Sequence, residues 1–509
     1  MEVELKLLID PEDIRSFKEH PSIRKYAQAA PAEQEQHAIY FDTPDHELRR
    51  AGAGLRVRKT GKSWTQTLKA GGSVVGGLHR RHEWESSVRG PEPDLYALRK
   101  LIDEEGPWED LIASPRFASR LQPLFTTTVR RTSWQLRLPT GDQVECVLDE
   151  GNIASEKTSE AVSEIELELK SGDPLHLFDF ALALLEQVPM RIGNQSKAER
   201  GYALSTETPP AAVKAKSLVL SKKMTIEQAF EAIVDNCLQQ IQANARGVEQ
   251  ADDVESLHQM RIGLRRLRSA LKLFEEVIDL PEELQQELDW LGEQISTARD
   301  WDVFATKTLA AIKPDGTEVE LGDVKKAALE KAAQLHRIAA DAVGSARYTR
   351  LVLSFSRWMQ SRAWREPLLE LEGKSLKKRL KSFSSDMLKH DKRRLTRRGR
   401  QLDEADAHAR HRVRVAAKRM RYDTEFFQSL YPGKDTKVYV TALSDLQDKL
   451  GWLNDVAVGE RLLTELQDDR SELAGVAGYI RGYLAALAAR DEKKVEKLWK
   501  KFKSKSLPE

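Results

Sequence analysis

The first six residues, Met1-Glu2-Val3-Glu4-Leu5-Lys6, place two carboxylates and an ammonium at alternate positions. In an extended strand successive side chains point to opposite faces, so Glu2, Glu4 and Lys6 share one face and Val3, Leu5 and Leu7 the other. Carboxylates are hard oxygen ligands for Mg2+ or Mn2+, and basic groups grip phosphate oxygens, arginine with two parallel bonds. The pattern returns downstream. Arg56 and Arg58 alternate with Leu55 and Val57, Arg81 shares a face with Glu83 and Glu85, and Glu164, Glu166 and Glu168 alternate with Ile165, Leu167 and Leu169. One such strand describes a wetted sheet face. About eight strand candidates, most of them alternating, fit a closed antiparallel barrel, with charged faces lining a lumen and apolar faces packing outward under helices. A lumen of both signs suits a metal-bound polyphosphate.

The elements that must carry these residues follow in order. Pro11 to Ala30 reads as one helix capped by Asp10. Strands are expected near residues 37–43, 54–58, 64–69, 81–85, 127–138, 144–148 and 164–169, with helices near 95–105 and 175–188. The length of 509 residues suggests roughly two to four domains. Residues 1–210 carry 27 Lys+Arg against 34 Asp+Glu, a balance of −7, and residues 211–509 carry 54 against 46, or +8. An acidic front and a basic back imply two modules with different tasks. The stretch from Thr206 to Ser217, with Pro209-Pro210, marks the boundary, giving domains at 1–205 and 218–505 and a linker at 206–217. Two cysteines, Cys146 and Cys237, fit a reducing cytosol. The chain opens on no basic-apolar-small leader, and its most apolar helix candidate carries Asp179 and Glu186, so a cytoplasmic protein without a membrane span is expected.

Beyond the linker the pattern changes to long helices. In His258-Gln-Met-Arg-Ile-Gly-Leu-Arg-Arg-Leu-Arg268, helical geometry puts His258, Arg261, Arg265, Arg268 and Lys272 on one stripe, and Met260, Leu264, Leu267 and Leu271 on another. The apolar stripe packs and the basic one is held out. The arrangement repeats 153 residues later, where His411, Arg414, Lys418, Arg419 and Arg421 echo His258, Arg261, Arg265, Arg266 and Arg268. Arg299-Asp300-Trp301-Asp302 is echoed loosely by Leu453-Asn454-Asp455. This is an internal duplication, expected to give two similar helical bundles. Further basic residues lie at Lys377-Lys378-Arg379, Lys392-Arg393-Arg394 and Arg397-Arg398.

The ordered set Glu2-x-Glu4-x-Lys6, Arg56-x-Arg58, Gly76-Gly77-Leu78-His79 leading to Glu83, Glu164-x-Glu166-x-Glu168 and Ser196-Lys197-Ala198 resembles the CYTH family of triphosphate tunnel metalloenzymes, over about residues 1–205. The resemblance implies an eight-stranded tunnel that hydrolyses inorganic triphosphate to pyrophosphate and phosphate with Mg2+ or Mn2+. It implies that Lys6, Arg56, Arg58, Lys69, Arg131, Lys197 and Arg200 grip phosphates, and that Glu2, Glu4, Asp149, Glu164, Glu166 and Glu168 are the metal-ligand candidates. Glu2, Glu4, Lys6 and Glu83 are the candidate catalytic groups; one of the three late glutamates is a bystander. The duplicated HxxRxxx(R/K)RxR helix and the Asn454-Asp455 element resemble the CHAD domain, over about residues 218–505. That implies a two-fold helical bundle binding inorganic polyphosphate through the ten motif residues at 258–268 and 411–421, and suggests a place at polyphosphate granules. Nucleic acid is the physical rival, disfavoured because the basic stripes lack interleaved aromatics. Other readings keep the tunnel for adenylate cyclase or thiamine triphosphatase chemistry, or make the chain a non-catalytic granule binder. Gly61-Lys62-Ser63 and Gly373-Lys374-Ser375 lack the first glycine of a P-loop. His79 and His82 lie three residues apart on a strand, on opposite faces, and so make a poor zinc pair.

Overall fold

The computed structural model describes residues 1–206, 211–251, 253–313, 319–365, 379–400, 402 and 407–507. Lys377, Lys378, Gly373-Lys374-Ser375 and residues 207–210 of the expected linker fall outside these. The chain divides into two compact units, residues 1–211 with 344–361 and residues 212–343 with 362–509.

The first unit is built on β1 (Glu2–Ile9), β2 (Ala32–Asp42), β3 (Ala53–Thr60), β4 (Ser63–Val75), β5 (Leu78–Val88), β6 (Gln122–Arg137), β7 (Gln143–Ala154) and β8 (Ser159–Ser171). Neighbours run β5-β4-β3-β2-β6-β7-β8-β1, all antiparallel, and pairing of β1 with β5 closes the barrel. A short β9 (Met190–Ile192), which the sequence pattern does not announce, pairs with β1 at Leu7–Ile9. Period-two alternation sends Leu5, Leu7 and Ile9 into an outer core with Ile165, Leu167 and the helix α1 (Leu175–Leu185). The expected single helix over Pro11–Ala30 is instead two short ones, Ile14–Lys18 and Pro21–Tyr26. Pro21 has no N–H to continue the first helix and opens the second, as proline does at a first helical position. The helix expected at 95–105 ends at Arg99.

The first unit also takes in the helix Ala346–Ser361, far along the chain. Its Leu353 is fully buried in the outer core, Arg357 pairs with Asp179 on α1, and Gln360 accepts from Arg80 on β5 at 2.9 Å.

The second unit is helical. Its first four long helices are Ile226–Ala243, Val254–Leu273, Glu282–Val303 and Gly322–Gly344. The next four, Leu380–Gly399, Ala407–Phe427, Lys434–Asp469 and Ala474–Lys503, begin 152–154 residues later in the same order. The duplication read from one motif therefore extends over the whole unit. Met260, Leu264, Leu267 and Leu271 are buried as their stripe requires. No helix among the described residues is long and apolar enough to cross a membrane.

Candidate functional site

Register brings the charged faces of the barrel together. Lys6 lies opposite Glu166 across β1/β8, Asp149 opposite Glu164 across β7/β8, and Arg131 opposite Asp149 across β6/β7. The Lys6 ammonium, 2% exposed, lies 3.2 Å from Glu164 and 3.6 Å from Glu4, and also bonds Glu166. Arg131 grips Asp149 with two bonds, of 2.8 and 2.6 Å, and Glu166 with a third of 3.0 Å. Burial alone would lift the Glu166 carboxyl, but Lys197, Lys6 and Arg131 overcome it and hold it well below the usual range. Burial would likewise lower Lys6, and Glu164, Glu166 and Glu4 raise it well above normal.

Two further cations reach this cluster from a helix, α2 (Lys197–Thr206). Ser196 and Glu199 cap it reciprocally: Glu199 N–H donates to Ser196 Oγ at 3.2 Å and Ser196 N–H to Glu199 Oε2 at 2.7 Å. Gly201 lets the helix lie against β6, since a Cβ there would stand 2.1 Å from Phe125. So fixed, Lys197 contacts Asp149 at 2.7 Å, Glu166 at 3.0 Å and Glu164, while Arg200 contacts Glu164 at 3.2 Å and Glu160 at 2.9 Å. Asp149, Glu164 and Glu166 each bring a carboxylate oxygen within 4.8 Å of the others. Three hard oxygen donors at that spacing fit a divalent cation of the Mg2+ or Mn2+ class.

The strands β3, β4 and β5 carry the remaining expected residues. Lys69 pairs with Glu2 and lies 3.6 Å from Glu83, Arg56 lies 3.8 Å from Glu83, and Arg58 lies 3.5 Å from Glu85. Burial pushes Glu2 up to about 7, with Lys69 opposing. Burial and then Arg56 lower Arg58. Glu168 stands apart from the acidic trio, 2.7 Å from Lys170, which also binds Glu145 at 2.9 Å.

In the second unit the two motif helices contribute unequally. Arg261 pairs with Asp300 at 3.0 Å. Among the described residues Arg265, Arg414 and Lys418 have no carboxylate within 4.0 Å, and each is partly buried. Their charges act on one another: burial and then Arg414, Arg265 and Arg261 push the Lys418 ammonium down to about 7, against Asp455. His258, beside Arg299, is pushed down to about 4, by burial first. His411 is exposed. The second arginine of each motif faces the preceding helix instead. Arg266 donates to Gln240 at 2.8 Å and Asn236 at 2.7 Å, and Arg419 lies 3.3 Å from Asp391 and 3.6 Å from Asp423. Arg268 binds Asp289 at 2.8 Å, and Arg421 binds Glu425 at 3.2 Å.

A family model for the CYTH domain matches residues 1–202, and one for the CHAD domain matches residues 232–464. The chain belongs to the CHAD family and carries a CYTH domain ahead of it. The CHAD domain of the plant Ricinus communis, a crystal structure, is 37% identical with a TM-score of 0.54; the match covers 59% of this chain and 99% of that one. An inorganic triphosphatase of Haemophilus influenzae is 38% identical over 169 residues, 33% of this chain and 45% of the relative. The match thus spans less than half of that curated relative.

Several residues of the CYTH and CHAD sites carried no role in the sequence. Glu85 was visible on the charged face of β5, but its partner Arg58 depends on strand order. Glu160 holds Arg200, and Arg81 lies 3.3 Å from Glu199. In the CHAD domain Asp302 is buried against His336 at 3.0 Å, a contact between distant helices that no local spacing announces.

Proposed function

We propose that the CYTH domain hydrolyses inorganic triphosphate to pyrophosphate and phosphate with Mg2+ or Mn2+, and that the CHAD domain binds inorganic polyphosphate. The observation that carries the first half is the lumen in which Glu4, Asp149, Glu164 and Glu166 meet Lys6, Arg131, Lys197 and Arg200. A simple anion site gains nothing from four carboxylates beside its ligand. A site for an anion with its cation needs both signs. The triphosphatase name of the Haemophilus influenzae relative supports the same substrate.

In this reading Lys6, Arg56, Arg58, Lys69, Arg131, Lys197 and Arg200 hold phosphate oxygens and align the chain of phosphates for attack by water. Asp149, Glu164 and Glu166 hold the metal, with Glu4 and Glu2 completing the acidic wall. When bound, the cation neutralises charge on the phosphates and lowers the pKa of water. Water adds to a terminal phosphorus, the bond to its bridging oxygen breaks, and pyrophosphate leaves with the electron pair. A lumen carboxylate takes the proton. Glu83, between Lys69 and Arg56, keeps those two cations oriented. Glu168, engaged by Lys170, is the bystander.

In the CHAD domain Arg265, Arg414 and Lys418, with Arg261, form the polyphosphate-binding set. Arg266 and Arg419 tie helices together. Domain limits of 1–205 and 218–505 follow from this division of tasks, except that the helix Ala346–Ser361 belongs with the barrel. Polyphosphate binding would let the chain associate with polyphosphate granules.

A substrate panel tests the proposal: triphosphate, ATP, thiamine triphosphate, pyrophosphate and long-chain polyphosphate, each with Mg2+ and with Mn2+. Triphosphate is expected to turn over fastest. Faster turnover of ATP, or cyclic AMP as a product, would overturn it.

A further inference from the structure

His79 is the one residue of the Gly76-Gly77-Leu78-His79 stretch whose side chain lies on the lumen face of β5, in register with Glu4 on β1. It is 1% exposed. Its Nε2 lies 2.8 Å from the carbonyl oxygen of Gly193. A carbonyl only accepts, so Nε2 carries the proton in this bond. Burial, and then the charge of Lys6, lower the imidazole pKa. Among the described residues Nδ1 has no hydrogen-bond partner.

Gly193 is in turn bound to Lys6, its N–H donating to the Lys6 carbonyl at 2.9 Å. A Cβ on Gly193 would stand 2.7 Å from Lys6 Cγ, so only glycine lets this segment pass so close to the lysine. On the other side the Lys6 N–H donates to the Gly77 carbonyl at 2.9 Å. Gly77 has φ +76, and a Cβ there would stand 2.9 Å from the Lys6 carbonyl oxygen. Gly77 is two residues from His79. Lys6, Gly77, His79 and Gly193 thus form a closed ring of short links, in which both backbone polar groups of Lys6 are held and a side chain supplies the last bond. Lys6 is also the cation whose ammonium sits among Glu4, Glu164 and Glu166.

We propose that His79 is a positioning residue for Lys6: by holding Gly193 it closes the ring that fixes the Lys6 backbone, and with it the placement of the ammonium in the lumen. The inference rests on the triphosphate reading of the tunnel and deepens it. His79 touches no substrate in this role.

The test is a double-mutant cycle read by binding. The full chain is titrated calorimetrically with inorganic triphosphate in the presence of EDTA, as wild type, His79→Phe, His79→Gln, Lys6→Ala and the Phe/Ala double variant. Loss of one buried hydrogen bond predicts about tenfold weaker binding for His79→Phe. His79→Gln, whose amide can still donate to Gly193, should restore most of it. In the Lys6→Ala background the Phe substitution should change affinity less than about twofold, because the residue it acts through is gone. An equal loss in both backgrounds would overturn the proposal, as would wild-type affinity in His79→Phe. Should His79→Phe fail to fold, His79→Asn, too short to reach Gly193, takes its place. Amide hydrogen exchange at Gly193 separates this proposal from the tunnel reading: if wild type neither binds triphosphate in EDTA nor releases phosphate from it with Mg2+ or Mn2+, that reading fails. Protection lost in the Phe variant and kept in the Gln variant still supports the ring, and unchanged protection in both refutes it.

Discussion

The two phosphate sites proposed for this chain solve the same problem with opposite charge economies. In the barrel each central cation touches a carboxylate: Lys6 meets Glu4, Glu164 and Glu166, and Lys197 meets Asp149, Glu164 and Glu166. In the helical unit Arg265, Arg414 and Lys418 have no carboxylate within 4.0 Å among the described residues, and burial, then crowding by Arg414, Arg265 and Arg261, brings Lys418 down to about 7. A lumen balanced within itself suits a ligand that arrives with its own cation. An unbalanced cluster suits a bare polyanion that sheds small counterions on binding. In the proposed reading one arrangement serves chemistry on phosphate and the other serves holding it.

The comparison can be broken most sharply at the acids. Glu166→Ala should lower metal-dependent phosphate release about a hundredfold or more, since it removes a proposed metal ligand and leaves Lys6 and Lys197 short of an anion; steady-state rates check this. Glu4→Ala should also abolish the metal-dependent rate, and normal turnover with normal metal dependence in that variant would show that the acidic wall does not need Glu4. Arg56→Ala should chiefly raise KM, roughly tenfold, with a smaller change in kcat. Next comes salt. Polyphosphate binding to the helical unit should weaken about twentyfold between 50 and 200 mM salt, as expected when about three phosphate contacts release counterions with the slope of a single-stranded polyanion. Arg414→Ala should flatten that slope in a salt-series titration. Polyphosphate should also outcompete DNA of equal charge at matched salt.

The smallest effect sharpens the comparison at one residue. Lys418 occupies the place that Arg265 fills in the first repeat, and of the two only lysine can lose its proton near neutrality. With its pKa near 7 the group is charged below and neutral above. Polyphosphate affinity should therefore rise a few-fold as pH falls from about 8 to 6, and a bound polyanion should hold the proton on. Lys418→Arg should flatten the profile. By contrast Arg266→Ala should leave affinity nearly unchanged and destabilise the fold by about 1–3 kcal/mol, because it leaves Asn236 and Gln240 unsatisfied; thermal unfolding checks it.

Much of the barrel was legible because a strand has a period of two, and a closed sheet turns one period into an interior. Glu2, Glu4 and Lys6 declare their shared face in six residues. Which strand lies beside which is not a local property. The approach of Asp149 to Glu164, or of Arg58 to Glu85, is fixed by strand order and register. The ring at Lys6 is hidden for the same reason: Gly77, His79 and Gly193 are marked only as two glycines and a histidine until β5 and the segment after β9 close on β1. In the helices the 100° step separated the apolar stripe correctly. It could not say that Arg265 faces other cations while its neighbour Arg266 turns to Asn236. The helix Ala346–Ser361 looked like more of the helical half, since amphipathic character does not name the surface it will cover, and Leu353 belongs to the barrel's core.

The measurement that reaches the central claim most directly is phosphate release from inorganic triphosphate by the full chain at neutral pH, with Mg2+, with Mn2+ and with EDTA. The account predicts release in one phosphate per triphosphate, pyrophosphate as the other product, and loss of activity in EDTA. Undiminished release in EDTA, or no release with either metal from a folded chain, would contradict it.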